Sequence, residues 1–157
     1  MTTLMAMVRN HSVSTMVVHA VWATAGRASV LLPSADEWIA QVLRRKAMEL
    51  GAVMLAVGNA ADHVHVVLQH APAMAVATLV GRLKGASSRA AHVSGVMGGD
   101  EGWQVGYWAE SVGPAHIEPL LDYVTHQRVH HATASALEPW QQPLPEPAAG
   151  GLRAPMS

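Results

Sequence analysis

The sequence predicts a single α+β domain built on an antiparallel sheet. Three observations lead there. A length of 157 residues suits one domain. Half of the residues are apolar and only 13% are charged, so the chain can bury a core and is not a disordered polymer. Short β-branched apolar runs alternate with helical patterns, around one adjacent pair of runs that reads as a hairpin. Cysteine is absent, which excludes a disulfide scaffold, a thiolate zinc site and a cysteine nucleophile, and agrees with a reducing compartment. Phenylalanine is absent too, so the core has to rest on Ala, Val, Leu and Met with five tryptophans.

The elements follow in order. Residues 1–13 read as a loose leader, without the basic and apolar blocks of a signal peptide. Ser14 to Thr24 (STMVVHAVWAT) reads as a buried strand, and Gly26 to Pro33 as a turn-like connection. Ser34 and Glu37 have the spacing of a capping box, opening a helix that carries Trp38, Ile39, Val42 and Leu43 and stops at Gly51. Ala52 to Val57 and His63 to His70 form the hairpin, with a turn at Gly58 to Ala61. Pro72 breaks the chain. Val76 to Ala91 is a second helix, Gly95 to Gly102 a glycine-rich loop and Gln104 to Val112 a fourth extended piece. Pro114 to His131 is a third helix, or two short ones divided at Pro119. Residues 132–157 are a proline-rich tail, which leaves 14–131 as the folded domain. Strand, helix, strand, strand, helix, strand is the order of a ferredoxin-like (RRM-like) antiparallel sheet with helices on one face, and the last helix is an appendage. No segment has the roughly 20 mostly apolar residues of a membrane span, so no membrane partner is expected.

Net charge is −1 with histidines neutral, and the ten histidines equal Lys and Arg together. Their placement carries the chemistry. In Asp62-His63-Val64-His65 the histidines lie two apart on a strand and share a face, while Val64, Val66 and Leu68 point to the other. Two adjacent imidazoles are half of a metal site, or simply a satisfied pair of strand histidines. Asp62 can orient one imidazole from behind, or serve only as a turn residue. In Tyr123-Val-Thr-His-Gln127 a phenol and a carboxamide stack one helical turn apart. The carboxamide oxygen suits magnesium or manganese, and a phenol beside a metal-bound phosphate can act as a nucleophile. The plainer reading is a half-buried Tyr and a solvated Gln.

Taken together, these motifs resemble the single-strand DNA transposases of the HUH superfamily: the one-tyrosine enzymes of the IS200 class and the REP-associated tyrosine transposases. Further segments match in the same order, over roughly residues 14–131. They are Val21-Trp22-Ala-Thr24-Ala-Gly-Arg27, Leu83-Lys84-Gly85-Ala-Ser87-Ser-Arg89, Trp103-Gln-Val-Gly-Tyr107 and Ser111-Val112. Ala60-Ala61 stand where the family usually has a Pro before the Asp-His run.

The resemblance implies a DNA strand transferase and endonuclease. His63, His65 and Gln127 would hold a divalent metal, Mg2+ or Mn2+, with Asp62 behind them. Tyr123 would attack the scissile phosphate to give a 5′-phosphotyrosine and a free 3′-hydroxyl. The implied partners are single-stranded DNA bearing a hairpin and a second copy of the chain, a dimer with Tyr123 acting in cis or in trans. The implied location is the bacterial cytoplasm, acting at the nucleoid. Arg27, Lys84, Arg89 and Trp103 are candidate DNA contacts, against a plainer reading as solvated helix surface or core. A histidine-triad hydrolase is excluded by Val67 at the third position. The alternative is a non-catalytic, RRM-like single-strand-binding module derived from a transposase, although no Phe is present to stack on bases.

Overall fold

The computed structural model describes residues 4, 7–9, 12–95 and 102–129. The start of the expected leader, most of the glycine-rich loop and the proline-rich tail lie outside them. Within the expected leader, β1 (Met7–Arg9) and β2 (Ser12–Ser14) pair as an antiparallel hairpin, with Val8 opposite Val13. Ser14 therefore belongs to β2, and the first long strand, β3 (Met16–Ala23), begins two residues later. A 3-10 turn at Ala25–Arg27 follows. Then come α1 (Asp36–Glu49), β4 (Val53–Asn59), β5 (His63–His70), α2 (Val76–Ser94), β6 (Trp108–Ser111) and α3 (Ile117–Thr125). The result is an α+β fold in which the long strands form one antiparallel sheet, ordered β4-β5-β3-β6 and flanked by helices.

Alternation along the two central strands divides the core. Val18, Ala20 and Trp22 of β3 and Val64, Val66 and Leu68 of β5 face α1 and α2, where Ile39, Leu43, Leu79 and Leu83 meet them. Val17 and Val67 face the other way, against Ile117, Leu121 and Val124 of α3. Both faces of β5 are thus covered, and all eight of its residues are buried. Among the described residues no helix is long and apolar enough to cross a membrane.

Several local expectations give way to nonlocal packing. The Ser34 capping box does not form: Pro33 starts a 3-10 turn through Ala35, and α1 begins without a side-chain cap. Gly51 does end α1, at φ +73°, a left-handed conformation that costs glycine little. Pro119 neither kinks nor divides α3. It is the third residue of the helix, where an amide has no intrahelical acceptor to lose. The longer extended piece expected over Gln104 to Val112 shortens to β6, preceded by a lone bridge between Trp103 and Thr24.

Gly58 is the largest departure. It is not in a turn but inside β4, directly opposite His65 of β5. A Cβ built on Gly58 would lie 1.7 Å from the Val124 carbonyl oxygen and 3.0 Å from Gln127 Cγ. The end of α3 therefore rests on bare strand backbone. Beyond it, Arg128 makes a two-pronged bond to Asp36 at the start of α1, with both contacts at 2.6 Å, and donates to the Leu31 carbonyl at 2.9 Å. Asn59 donates to the same carboxylate at 3.2 Å. Gly58→Ala should cost at least about 1–3 kcal/mol, the range for overpacking, because a backbone carbonyl rather than a flexible side chain must move. Denaturant melts check this, and an unchanged midpoint would mean that α3 does not rest on Gly58.

Candidate active site

The strand parity that buries Val67 under α3 also sends His63 and His65 to that side. Both are almost wholly inaccessible, at 1% and 0% exposure, so they are not the half-exposed strand pair of the plainer sequence reading. Their rings lie 5.1 Å apart, centre to centre. Tyr123, one helical turn before Gln127, sets its ring edge-on to His65 with centroids 5.9 Å apart, and its phenolic oxygen is buried. Gln127 is 1% exposed and donates from Nε2 to the Tyr123 carbonyl at 3.2 Å. Its Cγ lies above Gly58, the residue paired with His65. The fold thus gathers His63, His65, Tyr123 and Gln127 under one helix, within one chain.

The surroundings of His63 are well defined. Its Nδ1 meets Asp62 Oδ1 at 2.6 Å, and Asp62 Oδ2 accepts from Arg27 Nε at 2.8 Å. Burial alone raises the Asp62 pKa, but the hydrogen bonds and positive charge of His63 and Arg27 outweigh it and hold the carboxyl below its usual range. The Asp62 backbone is fixed as well. Its carbonyl accepts from the Thr24 amide at 2.8 Å and from the Thr24 hydroxyl at 3.1 Å. Arg27 reaches this carboxylate from a left-handed backbone, φ +58°, uncommon for a residue with a side chain. Asp62 therefore stands against the Nδ1 side of His63, and Arg27 supports that carboxylate.

Sequence reasoning missed His19. It lies on β3, 6% exposed, and its Nε2 is 2.9 Å from His65 Nδ1. The two rings stack at 5.1 Å with an interplanar angle of 23°. Trp108 of β6 meets the His19 ring edge-on at 5.2 Å. Burial pushes the His19 pKa down to about 4, so the ring is neutral at pH 7. Its parity with Val17 and Val21 assigns it a face of the strand, but without the register to β5 it names no partner.

The other expected contacts are placed differently. Lys84 donates to the carbonyls of Gln104 and Gly106, at 2.7 and 2.6 Å, and burial lowers its pKa. Trp103 packs edge-on against Trp22 and donates to Ser87 Oγ at 2.8 Å. Lys84 and Trp103 thus fasten the segment before β6 onto α2. Arg89 is exposed, and it lines a groove of about 870 Å3 between α1 and α2, on the sheet face away from the histidines, together with Arg45 and Arg82. His126 is exposed, and His130 and His131 lie outside the described residues.

A divalent cation suits this donor set. Among the described residues no three His, Cys, Asp or Glu side chains group as a metal site, so a third donor beside His63 and His65 has to be of another type. Gln127 Oε1 qualifies: it is buried and accepts no hydrogen bond, a state that costs about 1–3 kcal/mol if nothing else binds there. An amide oxygen with two imidazoles is a reasonable set for Mn2+ or Mg2+.

Three comparisons bear on the whole. Residues 12–127 match the family model described as "Transposase IS200 like". A candidate transposase of known structure from Deinococcus radiodurans R1 is 26% identical, with a TM-score of 0.62, over 79% of this chain and 98% of that one. A REP-associated tyrosine transposase bound to a REP hairpin is 14% identical, with a TM-score of 0.59, over 83% of this chain and 76% of that one, and at that identity it speaks to the fold alone. No curated protein matches significantly.

Lys84→Met separates a clamp from a phosphate ligand. As a clamp, it should lower stability by about 1–2 kcal/mol and speed amide exchange around residues 104–106. Intact stability with a salt-dependent loss of oligonucleotide affinity would instead make Lys84 a phosphate contact.

Proposed function

This chain belongs to the IS200-like transposase family, and on that premise we propose that it cleaves and rejoins single-stranded DNA through Tyr123. One observation carries the reading: α3 lays Tyr123 and Gln127 over the buried His63–His65 pair of the same chain. His63, His65 and Gln127 are the residues proposed to hold Mg2+ or Mn2+. Such an ion, when bound, supplies positive charge at the scissile phosphate and favours the ionised phenol.

The chain's own part is mostly positioning. The edge-on contact with His65 fixes the side chain of Tyr123, and the helix fixes its backbone, so little reorientation precedes attack. In the proposed step the Tyr123 oxygen bonds to phosphorus and the bond from phosphorus to the 3′ oxygen breaks. The phenol proton is lost, and the departing 3′ oxygen gains one. The product is a 5′-phosphotyrosine and a 3′-hydroxyl. Attack on that ester by a 3′-hydroxyl of another strand reverses the step, so no external energy source is required.

The sheet order β4-β5-β3-β6, with α1 and α2 on one face, supports the finer ferredoxin-like assignment. An RRM-like binding module is less well supported, because such a module presents an open sheet face with stacking aromatics. Here α3 covers that face, and the residues beneath it are histidines and valines. The proposed partner is single-stranded DNA adjoining a hairpin. Arg45, Arg82 and Arg89, which make no ion pair among the described residues, are the proposed backbone contacts in place of Lys84. β4 and β6 end the sheet, and pairing of an edge with a second copy is the proposed route to a dimer.

Incubation with Mn2+ and a hairpin-bearing oligonucleotide should yield a covalent adduct that survives a denaturing gel. Tyr123→Phe should abolish the adduct while preserving fold and Mn2+ binding. An adduct that persists in that variant, or forms without metal, would overturn the mechanism.

Metal binding is tested separately by calorimetry. The His63→Ala, His65→Ala double variant should lose measurable Mn2+ affinity. Undiminished binding would place the ion elsewhere.

A further inference from the structure

We infer that His19 is a positioning residue that holds His65 in the tautomer able to offer Nε2 to a metal ion. This inference rests on the proposed role of His65 as a ligand. It concerns a residue of the neighbouring strand that touches neither Tyr123 nor Gln127 in any contact described above.

The Nδ1 of His63 faces the Asp62 carboxylate 2.6 Å away, and an ionised carboxylate accepts and does not donate. When the His63 ring is neutral, as a metal ligand has to be, its proton therefore sits on Nδ1 and the lone pair on Nε2. Metal-binding histidines are commonly held this way, with the second nitrogen donating to a carboxylate, carbonyl or other acceptor. His65 needs the same arrangement if the two imidazoles are to serve one ion, and its neighbours along the strand are Val64 and Val66. The atom that lies 2.9 Å from His65 Nδ1 is His19 Nε2.

The fold places that atom with care. Val21 of β3 is the residue opposite His65, so His19 sits one same-face step along the neighbouring strand. The two rings can then stack, at 5.1 Å and 23°. Trp108, opposite Val21 on the other side of β3, abuts the His19 ring edge-on and limits its rotation. With His19 Nε2 as the acceptor, His65 Nδ1 donates and His65 Nε2 carries the lone pair. His19 thus does for His65 what Asp62 does for His63, without adding a negative charge beside the phosphate site.

The test reads the tautomer directly. Long-range nitrogen–proton correlation NMR on the metal-free protein should show His65 protonated on Nδ1. His19→Leu, which has no acceptor, should shift His65 away from that tautomer and weaken Mn2+ binding about 10- to 100-fold, the range for such supporting partners. His19→Gln, whose side-chain oxygen can accept, should recover much of the tautomer and of the affinity. A merely structural role would not be rescued in this way, and thermal melts show whether each variant folds. A wild-type His65 protonated on Nε2 overturns the inference, whether or not the Leu variant folds. So does a folded Leu variant with the affinity of the wild type. Because the tautomer is read without metal, a protein that binds no Mn2+ at all counts against the metal site itself and is told apart from a failure of His19.

Discussion

The missing side chain at Gly58 is the constraint on which the site depends. Packed helices and packed sheets usually stand about 8–10 Å apart, because side chains fill the gap. At Gly58 the carbonyl of Val124 comes within 1.7 Å of where a Cβ would stand, so helix and strand meet backbone to backbone. That closeness brings Gln127 down over the strand pair that carries His65. The Arg128–Asp36 bonds then hold the same end of α3 from the far side, with Asp36 at the amino end of α1, where the helix dipole favours a carboxylate. A close approach and a charged clamp thus act within a few residues of each other, and Tyr123 inherits its position from both.

Burying so many polar groups is costly unless they satisfy one another, and here they do so in chains. One chain runs from Arg27 through Asp62 to His63. Another links His19 to His65. Each histidine of the pair thereby meets another residue through Nδ1, Asp62 in the turn just before β5 and His19 on β3. Not every group is satisfied: Trp22 Nε1, Asn59 Oδ1 and Gln127 Oε1 are buried with no hydrogen bond among the described residues. Of these, Gln127 Oε1 lies beside the two imidazoles proposed to hold a cation, which would use that acceptor.

Much of this was legible in the sequence, and the reasons for what was not are physical. The histidine pair was readable because a strand has a period of two, and Tyr123 with Gln127 because a helix has a period near 3.6. Both are local rules. His63 to His70 kept its expected bounds for the same reason. His19 was not readable, since a lone histidine in an apolar strand becomes informative only once the register with β5 is known. Gly58 was hidden because Gly-Asn-Ala-Ala-Asp looks like a turn, and only the arrival of α3, distant in sequence, makes it a strand residue. Lys84 on α2 looks like an uncommitted cation until the segment before β6, Trp103 included, folds back against that helix. In each case what was hidden is a contact between elements that no local pattern records.

Charge placement supplies the last step. The chain is nearly neutral overall, yet its partner is a polyanion. Among the described residues, the arginines on the α3 side are already matched: Arg128 by Asp36 and Arg27 by Asp62. Among the described residues, what remains under α3 is a set of imidazoles, an amide and a phenol. A phosphate arriving there meets hydrogen-bonding groups but little positive charge, and little to stabilise the additional charge of a five-coordinate phosphorus. Arg45, Arg82 and Arg89 do not remedy this, because they lie across the sheet in the groove between α1 and α2. The division is therefore sharp: uncommitted arginines on one face suited to holding a nucleic-acid backbone, and the set of imidazoles, amide and phenol on the other. A cation held by His63, His65 and Gln127, as proposed, would supply on this face the positive charge that its arginines, already paired, do not offer.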